Sequence, residues 1–215
     1  MIDRVHLKGM AKEQIKGNLP VLFLCLLIIG VASGIVSMVP VLGVIVVAIA
    51  TPAIMVGYLK IFLNLTYGEK PQIETLFSGL PNFIKAFLIE LLMGVYVFLW
   101  TLLLIVPGII KAISYMFSLY ILAENPDVGV KEALELSKKI TDGHKKDLFV
   151  LGLSFILWGL LCMVTFGIAI VYVGPYVQAT MMNAYNELKG AAGIGAAVVT
   201  DAASDDAYEQ NDNAN

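Results

Sequence analysis

Charge is what this chain has least of. Only 14% of its 215 residues are Asp, Glu, Lys or Arg, against about 25% in an ordinary soluble domain. Fourteen basic and 17 acidic side chains cannot cover the surface of a chain that is 59% hydrophobic with a mean hydropathy of +0.83. Lipid must replace much of the water, which excludes a soluble globular protein. Cysteine is almost as scarce. Cys25 and Cys162 each lie within an apolar run, where a thiol packs as a small hydrophobe, and this reads against a disulfide or redox role. The two histidines, His6 and His144, fall in separate polar segments, so no metal site and no cofactor are expected.

The chain has long stretches without any charge. Lys16 and Lys60 are separated by 43 uncharged residues, and Asp147 and Glu187 by 39. Each stretch is about twice the roughly 20 residues that one helix needs to cross a hydrocarbon core, so each should hold a pair of spans. It is also too long to read as a cleaved signal peptide, although basic residues precede the first. Between Glu90 and Lys111 lie 20 more uncharged residues. Turn signals split all three regions: Met38 to Gly43 around Pro40, Ile105 to Ile109 around Pro107-Gly108, and Thr165 to Ile168 around Gly167. The expected fold is all-α, a polytopic membrane bundle of about six helices in three hairpins, over 19–39, 43–64, 83–106, 108–123, 148–166 and 168–186. The fourth would rise only about 24 Å at 1.5 Å per residue, which is short for a full crossing and leaves a re-entrant segment open.

The basic residues fall almost entirely in the N-terminal segment, in the connections 65–85 and 124–147, and after the last span. The three hairpin turns carry none, so the positive-inside rule places both termini in the cytoplasm. Before each hairpin comes a short amphipathic stretch: Leu7, Ala11 and Ile15 before Gly17; Ile73, Leu76, Phe77 and Leu80 around Gly79; Val130, Ala133, Leu134 and Ser137 before Gly143. Each reads as a cytoplasmic interfacial helix, with Pro71 and Pro126 as first-turn prolines and Asn125 as a cap. The three glycines fall 62 and 64 residues apart. This spacing reads as a threefold repeat (1–66, 67–124, 125–188) within a membrane domain 1–188. The alternative is that any six-helix protein with short outer turns looks periodic. Residues 189–215 form an acidic, base-poor tail expected to be disordered.

Ionisable groups inside spans are functional candidates because holding charge in hydrocarbon is costly. Lys60, Glu90 and Lys111 qualify. Lys60 lies 17 residues after Gly43 and Glu90 lies 17 before Pro107, at matching depth on successive helices, so they are expected to pair or share a polar pocket. The alternative is that both snorkel to headgroups, as Lys111 would. Asn64, Gln178, Thr180, Asn183 and Asn186 gather toward the inner ends of the second and sixth helices, either lining a cavity or bonding helix to helix. Small residues on the first and fifth helices (Gly30, Gly34, Gly152, Gly159) read as close-packing positions. A basic segment, Lys138, Lys139, Lys145 and Lys146, could hold anionic lipid headgroups. No nucleophile with a base, no acid pair on one face and no metal-ligand motif appears, so no catalytic residues and no enzyme activity are expected, and no nucleic-acid partner either.

Several strings together carry a family resemblance: Gly68-Glu69-Lys70-Pro71 leading to Leu76-Phe77-Ser78-Gly79; Ile105-Val106-Pro107-Gly108-Ile109-Ile110-Lys111-Ala112; Tyr120-Ile121-Leu122-Ala123-Glu124-Asn125-Pro126-Asp127; Gly143-His144-Lys145; and Gly174-Pro175-Tyr176. Over roughly residues 5–188 the chain resembles the bacterial integral-membrane family catalogued as domain of unknown function 975. The resemblance implies a multi-span protein of the bacterial plasma membrane with no established activity and no defined catalytic residues. It also gives weight to Lys111 and to the Glu124–Asp127 corner. The leading expectation is a non-enzymatic accessory or envelope-associated protein that meets the lipid bilayer or an unidentified protein through its cytoplasmic helices. The alternatives are a small transporter or channel with a polar site near Lys60 and Glu90, and an immunity or resistance protein against membrane-active peptides.

Overall fold

A computed structural model describes residues 3–37, 42–165 and 167–194. Within them the chain is helical: α1 (Arg4–Ile15), α2 (Leu19–Ser37), α3 (Leu42–Thr66), a 3-10 helix (Glu74–Asn82), α4 (Phe83–Leu103), α5 (Ile105–Tyr115), α6 (Ser118–Glu124), α7 (Val130–Thr141), α8 (Lys145–Leu153), α9 (Ile156–Val164) and α10 (Ile170–Ala191). Among the described residues five segments are long and apolar enough to cross a membrane: Leu19–Val36, Val46–Thr66, Glu74–Leu103, Ile105–Glu124 and Lys145–Val164. The fold is therefore an all-helical membrane bundle. Its outer surface is apolar along α2, α4 and α9, where Ile35, Phe98, Leu102, Leu157 and Val164 are all exposed. In water such a surface would aggregate, but against acyl chains it costs nothing.

The segment expected as a sixth span, 168–186, has a different character. It lies in α10, which buries Tyr176, Ala179, Met182, Asn183, Ala184 and Tyr185 against α1, α2 and α3. A helix enclosed by its neighbours has little lipid to face, so it can carry Gln178, Thr180, Asn183 and Asn186 without the apolar excess of the others. Together α3 and α10 form the centre. Around them α1 lays its buried stripe, Leu7, Ala11 and Ile15, one helical turn apart. Asp3 caps this helix by accepting from the Val5 and His6 amides at 3.0 and 3.2 Å. Gly17 and Gly143 then turn the chain in the left-handed region, at φ +85° and +77°, which a residue with a Cβ adopts only with strain.

Several boundaries differ from expectation, each for a local reason. The turn expected at Met38 to Gly43 lies mostly outside the described residues, as does the acidic tail from 195 onward. In the middle hairpin the break falls on Leu104, which takes extended backbone at φ −159° and ψ 141°. Pro107 sits inside the first turn of α5, where its missing N–H is not needed. The next helix is not continuous over 108–123: Met116 and Phe117 separate α5 from α6, and Ser154 and Phe155 likewise separate α8 from α9. Around Gly79 the chain forms a 3-10 helix rather than an amphipathic α-helix. Its three-residue period buries Leu76 and Gly79 and leaves Phe77 and Leu80 exposed. Asn125 ends α6 rather than starting α7, and its side chain accepts from the Asp127 amide at 3.1 Å. The cap of α7 is Gly129, whose N–H donates to Glu132 at 3.3 Å.

Glycines mark where backbones meet, but not the ones expected. A Cβ on Gly57 would overlap the Leu76 carbonyl, one on Gly79 the Ala53 carbonyl, and one on Gly108 the Thr101 side chain. The 3-10 helix is thus seated directly on the backbone of α3. At Gly30, Gly34, Gly152 and Gly159 a Cβ would meet no described atom within 4 Å, so these are not contact points among the described residues.

Candidate functional site

The C-terminal parts of α6, α10, α1 and α3 converge on a polar layer. The Glu124 carboxylate, at the end of α6, accepts from Tyr185 Oη at 2.6 Å through one oxygen and from Lys189 Nζ through the other. The same ammonium lies 5.4 Å from the centre of the Tyr185 ring, a cation–π contact. Tyr185 in turn packs against Tyr120 and Phe117 at 5.7 and 5.5 Å, and Tyr120 Oη donates to Gln178 at 3.1 Å. Because both carboxylate oxygens are taken, Glu124 is held as a tie between α6 and α10 rather than as a free base.

Beside this tie, Gln14 of α1 and Asn183 of α10 exchange two amide hydrogen bonds, both 3.0 Å. Asn186 donates to Thr66 Oγ1 at 3.0 Å. These side chains line a cavity of about 420 Å³ that also takes in His6 and Glu187. Of the polar residues expected to line an inner cavity, Asn183 and Asn186 do so. Gln178 is drawn to Tyr120, and Thr180 returns its hydroxyl to the Tyr176 carbonyl at 2.8 Å. Lys8 extends from α1 to the α8–α9 break, where it donates to Ser154 Oγ at 2.7 Å and lies 4.8 Å from the Phe155 ring centre. Burial, followed by the charges of Arg4 and Lys12, lowers its pKa.

The ion pair expected between Lys60 and Glu90 is absent among the described residues. Lys60 is half-buried on α3. Glu90 is exposed on α4, in an apolar groove of about 340 Å³ with Phe87, Gly94, Phe98 and Ala48. Lys111 lies over Trp100 at 5.0 Å and Tyr115 at 6.0 Å, measured to ring centres. In the basic segment Lys138, Lys139 and Lys146 are exposed, while Lys145 pairs with Asp142 at 3.5 Å. Cys25 and Cys162 are both free thiols. Among the described residues no three His, Cys, Asp or Glu side chains are grouped to hold a metal ion.

Comparison with known proteins adds one finding. A family model described as a protein of unknown function, DUF975, matches residues 1–119 and 102–192. The chain belongs to the DUF975 family. No curated protein and no solved structure matches it.

Two stretches that carried the resemblance to DUF975 have clear structural work. In the Pro107-Gly108 segment, Gly108 lets α5 close against Thr101 of α4, and this seats Lys111 on Trp100. In the Glu124–Asp127 corner, Glu124 ties α10, and the Pro126 carbonyl accepts from Lys85 Nζ at 2.9 Å, joining the corner to the start of α4. The sequence signal for Glu124 was the motif alone, since its partner Lys189 lies 65 residues away. Glu124→Gln is expected to cost about 1–3 kcal/mol, since it leaves a partly buried ammonium without its countercharge. Combining it with Lys189→Met should recover part of that loss. Thermal unfolding of the singles and the double in detergent micelles measures the coupling, and additive losses would show that no tie exists.

Proposed function

We propose that this DUF975 protein is a non-enzymatic accessory or envelope-associated protein of a bacterial plasma membrane. In this reading its termini are cytoplasmic, and the basic segment Lys138, Lys139, Lys145 and Lys146 holds anionic lipid headgroups. The carrying observation is the placement of these amines. They stand where α7 hands over to the apolar segment that begins at Lys145, three of them are exposed, and only Lys145 has an ion-pair partner among the described residues. A lysine next to a span meets the headgroup layer, where each basic residue gains about 1 kcal/mol from an anionic surface. The apolar belt on α2, α4 and α9 supports the membrane setting. Glu124, bonded to Tyr185 and Lys189, supports a structural role for that carboxylate.

The test is thermal unfolding of the micelle-solubilised protein with increasing phosphatidylglycerol or phosphatidylcholine. Phosphatidylglycerol should stabilise the parent more. The variant Lys138→Glu/Lys139→Glu/Lys146→Glu should lose most of that difference, up to ~3 kcal/mol at ~1 kcal/mol per residue. An equal response of parent and variant would end the reading.

A further inference from the structure

Lys111 is the only charged residue between Glu90 and Glu124. Its ammonium has three donors and stands over the Trp100 and Tyr115 rings at 5.0 and 6.0 Å, with Tyr96 against Tyr115 at 5.8 Å. Ring faces attract a cation, but they neutralise no charge and accept no strong hydrogen bond. No described carboxylate pairs with this amine, and the side chain is half-exposed at the bundle surface. Among the described residues none supplies its counter-ion, so that place is open to an anion from outside.

The surroundings specify that counter-ion. Helical side chains lean toward their helix N-terminus, so the stem of Lys111 carries the amine toward the α4–α5 turn at Leu104 and away from the buried end of α5. Trp100 and Tyr96 are both about 40% exposed, on a surface otherwise made of Phe98, Leu99, Leu102 and Leu103. Trp and Tyr with one apolar side and one polar edge settle at the headgroup level of a bilayer, where the anions are lipid phosphates. We propose that Lys111, framed by Trp100, Tyr96 and Tyr115, is a binding site for the phosphate of an anionic phospholipid. The ammonium supplies the charge and the indole N–H a further donor, while the rings pack along the lipid's glycerol and upper acyl chain. The site shares no residue with the basic segment of the proposed function.

Trp100 is its own reporter. With Trp158→Phe in the full chain it is the sole tryptophan, and the protein can be reconstituted in phosphatidylcholine vesicles holding a small fraction of brominated phosphatidylglycerol or brominated phosphatidylcholine. The anionic quencher should be enriched at Trp100 about fivefold over the zwitterionic one, which is what ~1 kcal/mol provides. Lys111→Gln should bring the ratio to about one and Lys111→Arg should keep it, so a loss of charge is separated from a loss of fold. The Lys138→Glu/Lys139→Glu/Lys146→Glu variant should keep it too, so this site and the basic segment succeed or fail separately. Equal quenching by the two lipids in the parent, or a preference that survives Lys111→Gln, overturns the proposal. So does inorganic phosphate that removes the preference, because the ligand would then be a soluble anion.

Discussion

Gly57→Ala should cost about 3 kcal/mol, the upper end of what an added methyl does to a packed interior. Its Cβ would fall on the Leu76 carbonyl, and a carbonyl in a helix cannot rotate away as a side-chain tip could. Either the 3-10 helix Glu74–Asn82 lifts off α3, or α3 shifts and disturbs its packing against α2, α4, α6 and α10. The usual helix-propensity gain of Ala over Gly, roughly 1 kcal/mol, offsets only part of that. For a chain of this size the thermal midpoint in micelles should fall by roughly 6–12 °C. Gly79→Ala should behave similarly at the other half of the contact. The pair should lose less than the sum of the singles, because the first substitution already separates the backbones. Gly30→Ala on α2, where a Cβ meets no described atom within 4 Å, is the control and should be neutral or stabilising. A Gly57→Ala protein that melts with the parent would show that the 3-10 helix does not sit on α3.

Ser137→Ala should be nearly as damaging although it removes a single oxygen. The break between α5 and α6 frees backbone groups that lipid cannot satisfy. Ser137, fully buried on α7, satisfies two of them: its hydroxyl oxygen accepts from the Phe117 amide at 3.1 Å, and its hydroxyl donates to the Ser114 carbonyl at 2.9 Å. Thr141 adds a longer bond of 3.4 Å to that carbonyl. Alanine would leave the Phe117 N–H without an acceptor, a loss of about 1–3 kcal/mol. Amide exchange at Phe117 should rise together with the fall in midpoint. Ser78→Ala, which removes an exposed bond to the Thr75 carbonyl, should stay within about 0.5 kcal/mol of the parent. Unchanged exchange at Phe117 would mean that α7 does not hold the break.

Much of this architecture was legible in the chain because it depends on neighbours in sequence. The uncharged runs marked apolar helices, the recurrence of Leu7, Ala11 and Ile15 marked the face of α1 that is buried, and Gly17, Gly143 and Gly167 fall where the backbone turns at positive φ. Motif likeness pointed to Lys111 and to the Glu124 corner. The residues that hold these elements together were not legible. Lys8 meets Ser154 across 146 residues, Gln14 meets Asn183 across 169, and Glu124 meets Lys189 across 65. Nothing in the local pattern of either partner names the other. Expectation also erred where it took small size as evidence of contact: Gly30, Gly34, Gly152 and Gly159 touch little among the described residues, while Gly57, Gly79 and Gly108 carry the backbone contacts.

By itself, then, the sequence determined that this is a membrane-embedded helical protein and roughly where its helices begin and end. Hydrophobic transfer and backbone propensity act residue by residue and leave a periodic trace. Only the tertiary structure decided that α10 is a core helix enclosed by the others, that Lys60 and Glu90 form no ion pair, and that Ser137 mends the α5–α6 break. Each depends on which helix faces meet, and that is set by close packing and hydrogen-bond satisfaction between segments far apart in the chain.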